Sequence, residues 1–591
     1  MPSLPRSSQK STPLPPPTVR AGGSRWSWAF LIDFAIFIFV FAAIFGVYSI
    51  GRSWLGPIHP QVQISQNPRD LPLYAFYSLV RISVAYALSL VFALAYGYIA
   101  ASSRRAEIIL IPLLDILQSI PVLSFLPGVM LAMVALFPHS QLGLELGSIL
   151  LIFTGQVWNI AFSFYSSLKT IPRDLREAAI IYRFSRWQRF SELDLPFSTI
   201  GLVWNSMMSV AGGWFFLMAC EMFVLGQRDF RLPGLGSFLQ VAAGHGNTSA
   251  ILWGVLAMVA VIVMLDQLVW RPIIVWADKF KFEQVESSSA THSNLFSLLG
   301  RATLVIRFYR RVIRPVFDWL ARTFTSGARR AAETFNAPGQ NRLRLVSGYL
   351  FLLGILVGLG FAVFYAFGEL SDLRREDYIG LFQSTALTFL RVNTALILGA
   401  LWTVPVGVAI GFSPRLARIA QPLAQLAASI PATALFPVIL LFLIHLRGGI
   451  ELAAMLLMLL GTQWYILFNV IAGAMAIPTD LREAAQVFRF TSWDRWRLLI
   501  FPGIFPYLVT GMVTASGGAW NASIVAEYFH FQGRIISTAG LGSSISSASD
   551  SGRFDVLLAS TLIMATVVVL MNRLLWRRLY RLASTRFKLE T

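Results

Sequence analysis

Twelve apolar runs constrain this chain more than any other feature, each near the roughly 20 residues that a helix needs to cross a bilayer's hydrocarbon core. The first six fall at about Trp28–Ile50, Leu73–Ala100, Ile108–Phe137, Leu146–Leu168, Ile200–Leu225 and Ala250–Val275. The second six fall at about Leu345–Phe367, Thr385–Ile410, Ile419–Ile444, Leu452–Met475, Ile504–Phe529 and Phe554–Leu575. Of the 591 residues only 13% are charged, against about a quarter in soluble globular proteins. A soluble multidomain enzyme is excluded. The lone cysteine, Cys220, excludes an intramolecular disulfide framework and a multi-cysteine metal cluster.

The basic surplus, 48 − 29 = +19, sets the orientation, because Lys and Arg hold loops on the cytoplasmic side. With the N-terminus inside, the loops predicted outside hold Arg52, Arg69, Arg228, Arg231, Arg374, Arg375, Arg447, Arg534 and Arg553. Arg81 and Arg391 lie within predicted helices, which leaves 48 − 11 = 37 basic residues inside, all five lysines among them. Twelve crossings return the C-terminus to the cytoplasm. Residues 1–25 are rich in Pro and Ser and lack an apolar segment ending in a small-residue cleavage site. They read as a disordered cytoplasmic tail.

The chain is one unit written twice. Ile171-Pro172-x-Asp174-Leu175-Arg176-Glu177-Ala178-Ala179 recurs as Ile477-Pro478-x-Asp480-Leu481-Arg482-Glu483-Ala484-Ala485, an offset of 477 − 171 = 306. That offset also pairs Trp158 with Trp464, Gly212 with Gly518, Trp214 with Trp520, Glu221 with Glu527 and Trp270 with Trp576. Upstream the offset is 391 − 81 = 310, which pairs Arg81/Arg391, Pro121/Pro431 and Pro127/Pro437. Six helices per half is an even number, so both halves enter the membrane alike. This predicts a pseudo-two-fold axis along the membrane normal with a path between the halves. Between them, 278–344 is a basic connector. Its Leu295–Leu320 stretch interleaves arginines with aliphatic residues at helical spacing, the pattern of a segment lying on an anionic leaflet.

The loops Thr170–Pro196 and Ala476–Pro502 carry the most information. Pro172 and Pro478 suit a first helical turn, and Asp174, Glu177, Asp480 and Glu483 then face its positive end. Ser185-x-x-Gln188 reads as a capping box, and Thr491-x-x-Asp494 as a weaker one, each opening a second short helix. Two helices lying across a transporter's mouth need a partner to act on them.

The spacing from Glu177-Ala178-Ala179 to Leu193-x-Leu195-Pro196, repeated from Glu483-Ala484-Ala485 to Leu499-x-Phe501-Pro502, resembles the EAA loop of ABC importer permeases. The series Gly212-Gly213-Trp214, Glu221, Gly234-Leu235-Gly236, repeated as Gly518-Ala519-Trp520, Glu527, Gly540-Leu541-Gly542, is similar to the nitrate/sulfonate/taurine/bicarbonate group of type I importers. The resemblance implies an all-α polytopic membrane protein of about twelve transmembrane helices, built as two parallel six-helix permease repeats at 26–277 and 345–580. A tail at 1–25, the connector at 278–344 and a tail at 581–591 complete the chain.

The resemblance further implies that Glu177, Ala178, Ala179, Arg183 and Pro196, with Glu483, Ala484, Ala485, Arg489 and Pro502, belong to coupling loops. These would dock two copies of an ATP-binding subunit. ATP and magnesium would sit on those partners, with no cofactor in this chain. A periplasmic solute-binding protein would deliver a small solute of anionic, nitrate- or sulfonate-like kind, with one fused chain per transporter in a bacterial inner membrane and no nucleic acid partner. The family places Gly four residues after the second Ala, where this chain has Arg183 and Arg489. A left-handed turn there is dearer for Arg than for Gly.

Glu221 and Glu527 are expected near the outer ends of the fifth and eleventh helices. Intramembrane charge is expensive, so they are candidates to line or gate the path, or to pair with Arg81 and Arg391. Gly212 and Gly518 read as sites of close helix packing. Pro121, Pro127, Pro431 and Pro437 read as kinks in the third helix of each half. No phosphate-binding Gly-x-x-x-x-Gly-Lys-Ser/Thr loop occurs, and the six histidines lack metal-site spacing. The competing architecture is an ion-coupled twelve-helix secondary transporter, which would place free carboxylates inside its helices.

Overall fold

The computed structural model describes residues 63–280 and 366–586, less 139, 226, 227 and 372, with scattered positions between 353 and 364. The expected first span, most of the connector and most of the seventh span lie outside the described residues. The first half runs α1 (Pro68–Ser102), α2 (Arg104–Ser119), α3 (Leu126–Leu136), α4 (Leu142–Thr170), α5 (Arg173–Ile181), α6 (Trp187–Glu221), α7 (Leu235–Gly244) and α8 (Thr248–Ala277). The second half repeats it as α9 (Arg375–Phe412), α10 (Pro414–Ser429), α11 (Ala432–Leu443), α12 (Gly449–Ala476), α13 (Thr479–Val487), α14 (Ser492–Ala526), α15 (Leu541–Ser551) and α16 (Phe554–Ala583).

Among the described residues eight helices are long and apolar enough to cross a membrane: α1, α4, α6, α8, α9, α12, α14 and α16. They coincide with eight of the twelve expected spans. The third and ninth expected spans are not single straight helices, and here the structure refines the expectation of a kink. Pro121 and Pro431 do more than kink. The ring of a proline pushes the preceding residue out of the helical region. Ile120 accordingly sits at φ −79°, ψ 124° and Ile430 at φ −75°, ψ 118°. The break separates α2 from α3, and between α10 and α11 the axis turns by 82°. Pro127 falls in the first turn of α3, where its missing N–H is harmless, and Pro437 lies inside α11.

The second short helix expected in each coupling loop is also absent as a separate element. Residues 186–189 run through a π-helical stretch, Phe190–Asp194, straight into α6, and Arg495–Ile500 does the same in α14. The wider π turn carries the helix up to Pro196 and Pro502, which lack the N–H that a regular ladder would use.

After α6 a short antiparallel pair, β1 (Val224–Leu225) with β2 (Arg228–Asp229), leads to α7. The second half has a longer hairpin, β3 (Tyr528–Phe531) with β4 (Arg534–Ser537). Its two-residue turn, Gln532-Gly533, has φ of 50° and 70°, the pattern that matches strand twist in tight hairpins. A positive φ is unfavourable for Gln. The Gln532 N–H is held by the Ala243 carbonyl of the first half at 2.9 Å.

The halves meet reciprocally around the broken helices. The turn Val122–Phe125 packs on α14 and α16, while α11 packs on α6 and α8. Leu123 N–H donates to Asn521 Oδ1 at 3.3 Å, and Thr561 Oγ1 donates to the Ser124 carbonyl at 3.0 Å. One buried apolar cluster runs through both halves, with Trp214, Phe238, Phe436 and Trp520 among its largest members.

Candidate functional site

Three sites emerge, and the loops come first. In α5 the methyl of Ala179 is buried while Glu177 is exposed; Ala485 and Glu483 repeat this in α13. Arg176 turns back to donate from Nη2 to the Leu168 carbonyl at 2.5 Å, and Arg482 donates likewise to Ala474 at 2.5 Å. Each arginine thus satisfies a free carbonyl at the end of α4 or α12 and puts a cation at that helix's negative pole. Pro172 and Pro478 stand at the cap position, one residue before the first turn.

Arg183 and Arg489 do adopt the left-handed turn, at φ 52° and 48°. Phe184 N–H bonds the Ala179 carbonyl and Arg183 N–H bonds Ile180; Phe490 to Ala485 and Arg489 to Gln486 match them. This is the Schellman closure of a helix end. The turn expected of glycine is therefore kept, at a steric expense of about 1 kcal/mol per loop. Ser185 and Gln188 form their reciprocal capping box at 2.9 and 3.2 Å, and Asp494 N–H bonds Thr491 Oγ1 at 3.2 Å. At the C-terminal end of each EAA helix project Ile180, Ile181 and Tyr182 in one half and Val487 and Phe488 in the other, all more than two-thirds exposed.

The second site lies at the opposite ends of α6 and α14. Glu221 and Glu527 are fully buried and paired with Arg81 and Arg391, so the pairing alternative is the one realised. Arg81 donates to both oxygens of Glu145 (2.5 and 2.8 Å) and from Nη1 to Glu221 Oε1 (2.7 Å) and the Pro233 carbonyl (2.8 Å). Glu221 also accepts from Ser78 Oγ at 2.7 Å and from Gly236 N–H, in the first turn of α7, at 2.8 Å. In the second half Arg391 donates to Glu527 Oε1 and Thr538 Oγ1, both at 2.8 Å. Glu527 accepts from Thr388 Oγ1 at 2.8 Å and Gly542 N–H at 2.9 Å.

This geometry explains the Glu…Gly-Leu-Gly spacing. The carboxylate caps the short helix that follows, and a Cβ on Gly234 or Gly540 would lie 2.2 or 2.1 Å from it. A charge this deep is tolerated when paired and hydrogen-bonded. Glu221 and Glu527 thus tie α7 and α15 to the long helices. Close packing at the tryptophan motif falls on Gly213, whose Cβ would meet Gln156 at 2.1 Å, rather than on Gly212, where the nearest atom is 3.4 Å away. The role of Glu145 was missed in the sequence; its repeat match with Glu451 at the 306 offset was the available signal.

The third site was not foreseen either. A cavity of about 130 Å³ opens between the halves near the ends of α6 and α14, lined from both. In it Tyr528 Oη donates to Asp550 Oδ2 at 2.7 Å, and His530 Nε2 lies 2.9 Å from the same oxygen. Burial and the bond to Asp550 push the Tyr528 hydroxyl above its ordinary range, so it stays a donor. Among the described residues no group of three or more His, Cys, Asp or Glu could hold a metal ion.

Two parallel repeats of apolar helices, each with a paired loop at one end and a capped short helix at the other, define a duplicated polytopic permease. The chain belongs to the binding-protein-dependent transport system inner membrane component family, which matches it twice, at 93–269 and 403–588. It is 29% identical over 202 residues to the taurine transport system permease protein of Escherichia coli, covering 34% of this chain and 70% of that one. It is 26% identical over 195 residues to the nitrate import permease protein of Leptolyngbya laminosa, covering 33% of this chain and 66% of that one. With the bicarbonate transport system permease protein of Synechococcus elongatus it shares 29% over 148 residues, about half of that protein's length (52%). This chain is thus a tandem fusion of two ABC importer permease domains.

Proposed function

We propose that this chain forms the whole membrane pathway of an ATP-driven importer, with α5 and α13 each docking one copy of a separate ATP-hydrolysing subunit. The observation that carries this is the repeated loop. An exposed apolar tip (Ile180 to Tyr182; Val487 and Phe488) stands on a helix anchored by a buried alanine and clamped by an arginine to the preceding long helix. A push on the tip is transmitted to α4 or α12, which spans the bundle. ATP and magnesium belong to the docked subunits. A solute-binding protein on the opposite face delivers a small solute, and both termini lie in the cytoplasm with the loops. The relatives are named for taurine, nitrate and bicarbonate, so small solutes that carry an anionic group, zwitterions included, are the first to examine.

The secondary-transporter alternative loses support because Glu221 and Glu527 are committed to Arg81 and Arg391 and leave no free carboxylate for an ion at those positions. The test is purification of the tagged chain in mild detergent, with quantification of what accompanies it. An ATP-hydrolysing subunit near two copies per chain is the expected result. A chain without ATPase that drives uptake from a proton or sodium gradient would overturn the reading.

A further inference from the structure

The cavity between the halves is chemically one-sided. Its walls are apolar, with Met222, Phe223 and Phe529 among them, yet it holds a carboxylate, and among the described residues no Lys or Arg lines it. Tyr528 and His530 both engage Asp550 Oδ2, which leaves Oδ1 uncommitted. Two further polar atoms facing this region, Ser549 Oγ and Gln240 Oε1, are buried without a partner. The arrangement is not a product of the repeat. At the 306 offset the first half has Met222, Val224, Ala243 and Gly244 where the second has Tyr528, His530, Ser549 and Asp550. The framework shared by both halves does without these groups, so maintaining the fold does not account for them.

We infer that this cavity receives the solute, and that it selects an N–H donor, foremost a protonated amine, on a small molecule. The inference rests on the importer reading. Acceptors left unpaired are costly where they are buried, as Gln240 Oε1 is, and a carboxylate oxygen and an amide oxygen of residues that line one cavity are completed by donors. A bare oxyanion brings like charge and more acceptors to the same place, and like charges at close range repel. A zwitterion with an ammonium end satisfies the site; nitrate-like or bicarbonate-like ions do not.

The test needs no knowledge of the solute. In a Cys220→Ala background, Ser549→Cys places a single thiol at the cavity of the full chain with its ATPase, in membrane vesicles. Its labelling rate is compared for two methanethiosulfonate reagents of similar size, one ending in a primary ammonium and one in sulfonate. The ratio is corrected with a thiol placed at an exposed loop position. The expected result is labelling at least about tenfold faster with the cationic reagent, falling toward unity when Asp550→Asn is added. Ser546→Cys supplies a second position should Ser549→Cys fail to fold. Equal or faster labelling by the sulfonate, a preference indifferent to Asp550→Asn, or no labelling at either position would overturn the inference. Scoring the ATPase in the same vesicles separates failure of the importer reading from failure of this one.

Discussion

The two coupling loops are near copies, whereas the two opposite ends have diverged. In the loops even the departure from glycine is matched, with Arg183 and Arg489 turning at φ 52° and 48° and the same pair of closing hydrogen bonds. At the other end Arg81 is 1% exposed and grips two carboxylates, while Arg391 is 11% exposed and grips one carboxylate and a hydroxyl. The hairpin there is two residues per strand in one half and four in the other. Under the proposed function, loops that dock two copies of one partner would be held to one geometry, while ends that meet a single solute would be free to differ, and a fused chain lets them do so because each half is encoded separately.

The largest test of that contrast is at the ion pairs. Arg81→Met strands two buried carboxylates and should cost about 3–5 kcal/mol, read as a large drop in the thermal midpoint of the detergent-solubilised protein. Arg391→Met should lower the midpoint by clearly less, and equal drops would erase the asymmetry. Next come the loops. Glu177→Lys and Glu483→Lys, made singly, should weaken ATPase docking to a similar degree, and together should abolish coupled uptake while the chain stays folded. Normal uptake in the double variant would sink the coupling assignment. Strongly unequal single effects would show that the two loops serve different partners.

A smaller effect of opposite sign is expected at the turns. Arg183→Gly or Arg489→Gly removes the left-handed strain and should stabilise each loop by about 1 kcal/mol, seen as slower local amide exchange in α5 or α13. The smallest effect concerns an ion pair confined to the first half. Glu107 accepts from Lys169 Nζ at 2.7 Å and from Tyr165 Oη at 2.5 Å, while the 306 and 310 offsets give Ala417, Met475 and Ile471 in the second half. The bonds from Lys169 and Tyr165 hold the Glu107 carboxyl below its ordinary value of 4.5. A carboxyl lowered in the folded state adds stability above pH 4.5 and loses it as pH falls through the folded value. Glu107→Gln should therefore flatten that slight acid-side decline in the thermal midpoint, and Ala417 substitutions should leave it unchanged.

The sequence by itself determined the membrane class, the duplication and the repeated Glu-Ala-Ala loops. Apolar runs about as long as a bilayer is thick, and charged loop residues repeated at a constant offset, are local signals that need no partner to be read. Capping boxes are local too, and Ser185 with Gln188 formed as their spacing predicted. The tertiary structure decided what depends on residues far apart in the chain. The spacing of Glu221 left lining, gating and pairing all open, and only the approach of α1 and α4 brought Arg81 and Glu145 to it across 140 and 76 residues. Pro121 and Pro431 announced a disturbance, but the size of the bend and what packs against it, α14 and α16 at the first break, are read only from the structure. The cavity had no sequence signal at all. Tyr528, His530 and Asp550 match no motif, and their shared surface exists only where two halves, folded alike, meet with unlike side chains.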